Sequence, residues 1–262
     1  MTTVILTFVP SILILFYFIF NDKFKEPIGS IILIFFLGFL ICLPAGILNE
    51  LSDDFFFKKL NYSEDLTVSF LGPAWAEELL KFSILYFIVL KRHEFNEPMD
   101  GIVYGVTVSL GFATYENYSY VFYWAEEWGI DPYQMAVWRS YSAVPLHGLC
   151  GCVMGFYFGM YAFTANKKYL VLCLFIPFII HGFYNFLPHP SHFMVLGIVV
   201  IYSIALHSQF KKMQWMKNKE SEKKKIKSSP LSLPNSKLFI KLAKFEKVSF
   251  DFCSLILDIY LS

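Results

Sequence analysis

Residues 66–90 read LTVSFLGPAWAEELLKFSILYFIVL. The run is long enough to cross a bilayer, which takes about 20 mostly apolar residues, yet Glu77, Glu78 and Lys81 sit in its middle. An ionisable group inside a membrane helix costs roughly 2.5–3.5 kcal/mol on insertion scales and by default marks function. Glu77 and Lys81 are four residues apart and can pair along one helical face. Glu78 points about 100° away around the helix. An ion-paired packing element is the plainer reading of Glu77 and Lys81, but packing alone gives no reason for two adjacent glutamates.

Working outward, six further apolar stretches lie at about 3–20, 30–48, 101–124, 141–164, 169–187 and 193–207, the last being the shortest. The predicted fold class is therefore all-α, a polytopic membrane helix bundle of about seven transmembrane helices. The first stretch lacks a basic leading region and a small-residue cleavage site, so it reads as a retained span and not a signal peptide. Composition agrees: 56% of the 262 residues are hydrophobic and only 16% charged, against nearer half and a quarter in soluble domains. The implied surroundings are a lipid bilayer. A net charge of +1 argues against a nucleic-acid partner.

Lysine and arginine in the short connections set orientation, because they favour the cytoplasmic side. Lys23 and Lys25, Lys91 and Arg92, Lys167 and Lys168, and the Lys-rich stretch from Lys211 all fall on one side of seven spans. The other side carries Lys58, Lys59 and Arg139 among acids such as Asp53, Asp54, Glu126 and Glu127. The N-terminus is expected outside and the C-terminus in the cytoplasm. Residues 1–208 read as one transmembrane domain and 209–262 as a basic cytoplasmic tail, beginning with a linker-like stretch to about 235. Beyond it Lys237, Lys241 and Lys244 share one helical face and Leu238, Leu242 and Phe245 another, a pattern suited to an interfacial helix on an anionic leaflet. Four cysteines (Cys42, Cys150, Cys152, Cys173) fall within spans, where packing is their expected role.

Small residues mark the packing faces. Gly101, Gly105, Ser109 and Ala113 recur every four residues in the fourth span, and Ala143, His147, Gly151, Gly155 and Gly159 do so in the fifth. Such stripes let helix backbones approach closely, which puts His147 and Asn117 on inward faces. Glu116 ends the fourth span, His147 lies in Pro145-Leu146-His147-Gly148, and His181 and Asn185 are four apart in the sixth. At a rise of about 1.5 Å per residue, Glu77, Glu116, His147, His181 and Asn185 come out roughly 20–30 Å from the cytoplasmic ends of their spans. Five polar residues from helices running in both directions thus agree in depth, in the outer half of the bilayer.

Hydrolysis is the chemistry such a group supports. A carboxylate against an apolar wall can take a proton from water. An imidazole can share that task or ligate zinc, and His and Asn can donate to a tetrahedral oxyanion. There is no H-E-x-x-H and no G-x-S-x-G, which removes the commonest zinc-protease and serine-hydrolase signatures. A transporter or proton relay is the alternative, since pumps also use chains of Glu and His. Gly72-Pro73 could then mark a discontinuous helix.

Glu77-Glu78-Leu79-Leu80-Lys81, Asp100-Gly101-Ile102-Val103-Tyr104-Gly105 running into Gly111-Phe112-Ala113 and Glu116-Asn117, Pro145-Leu146-His147, and His181-Gly182-Phe183-Tyr184-Asn185 together resemble the PrsW family of intramembrane proteases, related to the CAAX prenyl endopeptidases. The resemblance covers about residues 66–187, block after block in order. It implies an intramembrane endopeptidase in which Glu77 is the water-activating glutamate and Glu78 its partner in the motif. It implies that His147 assists water activation or binds metal, that His181 and Asn185 stabilise the oxyanion, and that Glu116 belongs to the site. A metalloprotease would hold Zn2+, with Glu78, Glu116, His147 and His181 as candidate ligands; a metal-free glutamate mechanism is the other course the relatives suggest. The implied partner is a membrane-anchored protein substrate, cut at the outer face of the cell membrane as in the first cleavage of an anti-sigma factor.

Overall fold

The computed structural model describes residues 1–60 and 62–226, with side chains to 217; the predicted interfacial helix around Lys241 lies outside the described residues. Residues Met1–Lys217 form one compact unit and Asn218–Ser262 are grouped apart from it. Among the described residues every regular element is helical. In chain order these are α1 (Thr2–Asn21), α2 (Ile28–Ser52), the short α3 (Glu64–Leu66), α4 (Trp75–Phe87), α5 (Pro98–Ser119), the short α6 (Ala125–Glu127), α7 (Pro132–Tyr141), α8 (Ala143–Thr164), α9 (Lys167–Phe186) and α10 (His192–Ile226). Wider π-helical turns carry α2 on through Asp53–Lys59, join α3 to α4 through Thr67–Ala74, and extend α5 through Tyr120–Trp124.

Among the described residues five helical stretches are long and apolar enough to cross a membrane: Thr2–Asn21, Ile28–Lys59, Pro132–Thr164, Lys167–Phe186 and His192–Lys217. The chain is an integral membrane protein, and its surface agrees: Leu13, Phe16, Ile32 and Phe36 of α1 and α2 turn outward, which suits lipid and not water. The helix through residues 64–87 carries the buried Glu77, Glu78 and Lys81, and α5 the buried Asp100. Helix α10 runs on to Ile226, through the stretch whose Lys-rich composition reads as linker.

Local chemistry sets the ends of the inner helices. At the start of α5, Glu97 and Asp100 form a capping box around Pro98, with Asp100 Oδ2 accepting from Glu97 N at 2.8 Å; this satisfies donors that no helical carbonyl can reach. At α7 and α9 the N-cap side chain itself accepts, Asp131 from Gln134 N and Asn166 from Lys168 N. Helix α5 is the centre of the bundle, buried at every position from Met99 to Thr114. As the small-residue stripes predict, it packs backbone to backbone with α8. A Cβ added at Gly105 would lie 2.8 Å from Gly155 Cα, and one at Gly155 would lie 2.7 Å from Ile102 Cα. On its other flanks α5 meets α2 and α1. Because α8 runs back along α5, the C-terminal end of α5 and the N-terminal end of α8 share one end of the bundle. Glu77, Glu78, Lys81, Glu116, His147 and His181 gather there.

Candidate active site

Helix α4 begins two residues before Glu77 and follows directly on the π-helical turns around Gly72-Pro73. The proline removes one backbone donor, the widened turns absorb it, and the chain winds without interruption from Glu64 to Phe87. Helix α9 brings His181 to the same place; Gly182 beside it has no side chain because the Phe70 ring occupies that space.

Lys81 lies at the hub and is fully buried. Its ammonium is 2.8 Å from Glu78 Oε1, 3.6 Å from Glu77 Oε2 and 3.1 Å from His147 Nδ1, and sits 4.4 Å from the centre of the Phe112 ring. The sequence pairs Lys81 with Glu77; in the structure Glu78, one turn back, is the nearer carboxylate, because the long lysine stem bends toward α8. An ammonium offers only donors, so His147 Nδ1 accepts and its ring proton lies on Nε2. That proton is donated to Glu116 Oε2 at 2.8 Å. His181 Nδ1 in turn donates to Glu78 Oε1 at 3.0 Å, leaving its Nε2 lone pair 3.9 Å from Glu77 Oε2.

Two acceptors remain without a hydrogen bond, Glu77 Oε2 and Glu78 Oε2, both buried. A buried carboxylate oxygen without a donor is costly and calls for an occupant. A cavity of about 870 Å³ supplies the space, lined among others by Glu77, Glu116, His147, His181 and Asn185. Glu78 and Lys81 do not line it. The two neighbouring glutamates are therefore placed unequally: Glu77 on the wall, and Glu78 behind it, held by a cation and an imidazole. Asn185 is on the wall one turn beyond His181, and among the described residues its amide has no hydrogen-bond partner.

The donor atoms of Glu77, Glu78, His147 and His181 all lie within 4.8 Å of one another, so this group could hold a metal ion. Two carboxylates and two imidazoles, with two carboxylate oxygens and the His181 Nε2 lone pair unclaimed, suit a divalent ion, and His147 Nδ1 would join them by exchanging the Lys81 ammonium for the metal. Glu116 is not in the group, because its Oε2 is taken by His147 and by Arg139, whose Nη2 donates at 2.6 Å. Sequence reasoning places Arg139 among the loop charges on the acidic side, where it only helps to set orientation. The available signal is its rarity: the chain has only two arginines, Arg92 and Arg139, amid many lysines, and a planar guanidinium suits a buried carboxylate better than an ammonium does.

The profile of a known family, described as "PrsW family intramembrane metalloprotease", matches residues 26–208. That is more than half of the chain. The chain belongs to the PrsW family. It is 37% identical over 182 residues to Protease PrsW of Bacillus subtilis (strain 168), covering 68% of this chain and 78% of that protein. It is 34% identical over 186 residues to Protease PrsW of Geobacillus kaustophilus (strain HTA426), covering 68% and 76%. To Protease PrsW of Clostridioides difficile (strain 630) it is 30% identical over 207 residues, covering 77% and 85%. No solved structure matches the chain. This PrsW-family chain is thus an intramembrane protease, with a protein as its substrate. The matched region contains all of the cavity-facing residues named above.

Proposed function

We propose that Glu77 activates water to hydrolyse a peptide bond of a membrane-anchored protein at the outer face of the cell membrane, the kind of first cut made in an anti-sigma factor. The observation that carries this reading is the unpaired Glu77 oxygen on the wall of a cavity, backed by a glutamate that Lys81 and His181 hold in place. Water between Glu77 Oε2 and His181 Nε2 loses a proton to Glu77 and adds to the carbonyl carbon. The Asn185 amide N–H faces the oxyanion so formed, while His181 Nε2 accepts from the water's second hydrogen and keeps it aligned. The C–N bond then breaks as Glu77 passes the proton to the leaving nitrogen, so the carboxylate is regenerated. Glu78, His147 and Glu116 hold these groups in register. A zinc ion on Glu77, Glu78, His147 and His181 would add a Lewis acid and lower the pKa of its water to about 7.

Charge supports the topology. Counting the helix through residues 64–87 and α5 as spans gives seven, and the ends bearing Lys23, Lys91, Lys167 and Lys211 then all face the cytoplasm. The cavity end becomes the outer one, and the N-terminus lies outside. Residues 1–208 make up the protease domain and the Lys-rich remainder the cytoplasmic tail. Exposed aromatics (Tyr123, Trp124, Trp128, Trp138) cluster between α5 and α8 at the cavity end, as suits a membrane–water boundary. A proton relay would need ionisable groups across the bilayer. Helix α5 carries no carboxylate, imidazole or amine between Asp100 and Glu116, and α8 carries none after His147.

The test reconstitutes the whole chain in liposomes with a panel of single-span peptides. Glu77→Gln is expected to lower cleavage by about 10³-fold or more while insertion and melting temperature hold. Cleavage at the wild-type rate would remove Glu77 as the base. A chelator decides on zinc: activity lost and restored by added zinc supports the ion, and activity unchanged leaves the metal-free glutamate mechanism.

A further inference from the structure

Arg139 lies outside the four-residue Glu–His group and outside every motif block. It belongs to α7, which the break at Ser142 (φ −121°, ψ −77°) separates from α8 five residues before His147. From there its Nη2 donates to Glu116 Oε2 at 2.6 Å and its Nε to Asn117 Oδ1 at 2.9 Å, and the guanidinium carbon stands 3.8 Å from the centre of the Tyr120 ring. Asn117 is itself tied to α1 through Nδ2 and Thr7 O, 2.7 Å apart. A guanidinium holds its donors in one rigid plane, so two hydrogen bonds and a stacked ring leave it a single pose.

We propose that Arg139 is a positioning residue of the hydrolytic site: it holds the Glu116 carboxylate on His147 Nε2–H and so locks the orientation of an imidazole whose tautomer Lys81 sets. The inference rests on the reading of His147 and Glu77 as members of that site. One oxygen of Glu116 serves both Arg139 and His147. Without the guanidinium, Glu116 keeps a single neutral partner and can swing toward the cavity it lines. His147 Nε2–H then loses its acceptor, and a ring flip would set that N–H against the Lys81 ammonium, donor to donor. The cation on α7 therefore acts on the imidazole of α8 through a carboxylate of α5. A loose outer helix would be felt inside the site.

The measurement is a kinetic double-mutant cycle with the full chain in liposomes and a single-span reporter peptide that the wild type cleaves. Arg139→Gln is expected to lower kcat about 10–100-fold, the usual cost of losing an orienting partner, with KM within about threefold. Arg139→Lys, which keeps the charge but not the fork, recovers part of the loss. In a Glu116→Gln background, Arg139→Gln costs no more than about twofold further, because its effect runs through Glu116. Losses that multiply, or a KM effect with kcat intact, overturn the proposal. If Arg139→Gln alone fails to fold, the double variant removes both charges and decides the case: kcat equal to that of Glu116→Gln supports the proposal, and a lower kcat ends it. If Glu77→Gln and His147→Gln still cleave, the site reading falls; if they do not and the cycle is additive, only the Arg139 role falls.

Discussion

At the cavity end of the bundle each buried carboxylate has a cation within reach, Lys81 for Glu77 and Glu78 and Arg139 for Glu116. At the opposite end the acids lean mostly on neutral donors. Asp22 accepts from the Gln214 amide at 2.7 Å and from Phe24 N at 3.1 Å, Glu26 accepts from the Tyr104 hydroxyl, and Glu97 accepts from the same Gln214 amide, with Lys217 3.5 Å away. Burial pushes the carboxyls of Asp22, Glu26 and Glu97 above their ordinary values. The contrast separates two uses of a buried acid. One end holds its charges in place with cations as scaffold; the other ties helix ends together through hydrogen bonds that a protonated acid can also make.

Removing the hub should break that contrast most severely. Lys81→Met leaves Glu78 buried without its cation, a loss worth about 3–5 kcal/mol, and frees His147 Nδ1. Thermal unfolding in detergent should show a large fall in Tm together with loss of cleavage. Lys81→Met combined with Glu78→Gln should recover much of the Tm but not the activity. A single variant melting like the wild type would mean that the cavity end is not held by charge at all.

The seam between the two ends comes next in size. Gly155→Ala would drive a methyl group against Gly101 O and to 2.7 Å from Ile102 Cα. Overpacking of that kind costs about 1–3 kcal/mol. Because the contact is backbone on backbone, α5 and α8 must separate along their length, so both Tm and kcat should drop. An alteration in kcat alone would place the strain at the cavity end only.

The amino-acid pattern made the bundle legible because apolar length and small-residue spacing are local, and both survive folding. It also put Glu77, Glu116, His147, His181 and Asn185 at a common depth, since depth is a count along each helix. What it could not show was azimuth between helices. Which carboxylate Lys81 prefers depends on where α8 lies, and that Arg139 turns inward depends on the break at Ser142, whose backbone angles leave no mark in residue type. Asn185 shows the same limit: four residues from His181, it shares the cavity wall without a hydrogen bond to the polar group. The two polar helices of the interior escape a test of apolar length because the charges that make the site lower their hydropathy.

The smallest effect belongs to the opposite end. Asp22 Oδ2 is buried without a hydrogen bond, and burial raises the acid above its ordinary value of 3.8. For a carboxyl raised in the folded protein, the unfolded chain gives up its proton first as pH rises. Stability is therefore lost from about the ordinary value up to the raised one, and stays lost above it. Asp22→Asn removes the charge and keeps an amide oxygen for Gln214 Nε2, so Tm at neutral pH should rise by roughly 2 °C. Its advantage over the wild type should shrink as pH falls through that interval, where the native acid regains its proton. A constant advantage at every pH would show that the gain has nothing to do with the Asp22 proton, and a lower Tm at pH 7 would show that Asp22 is held as a charge after all and that the two ends of the bundle are built alike.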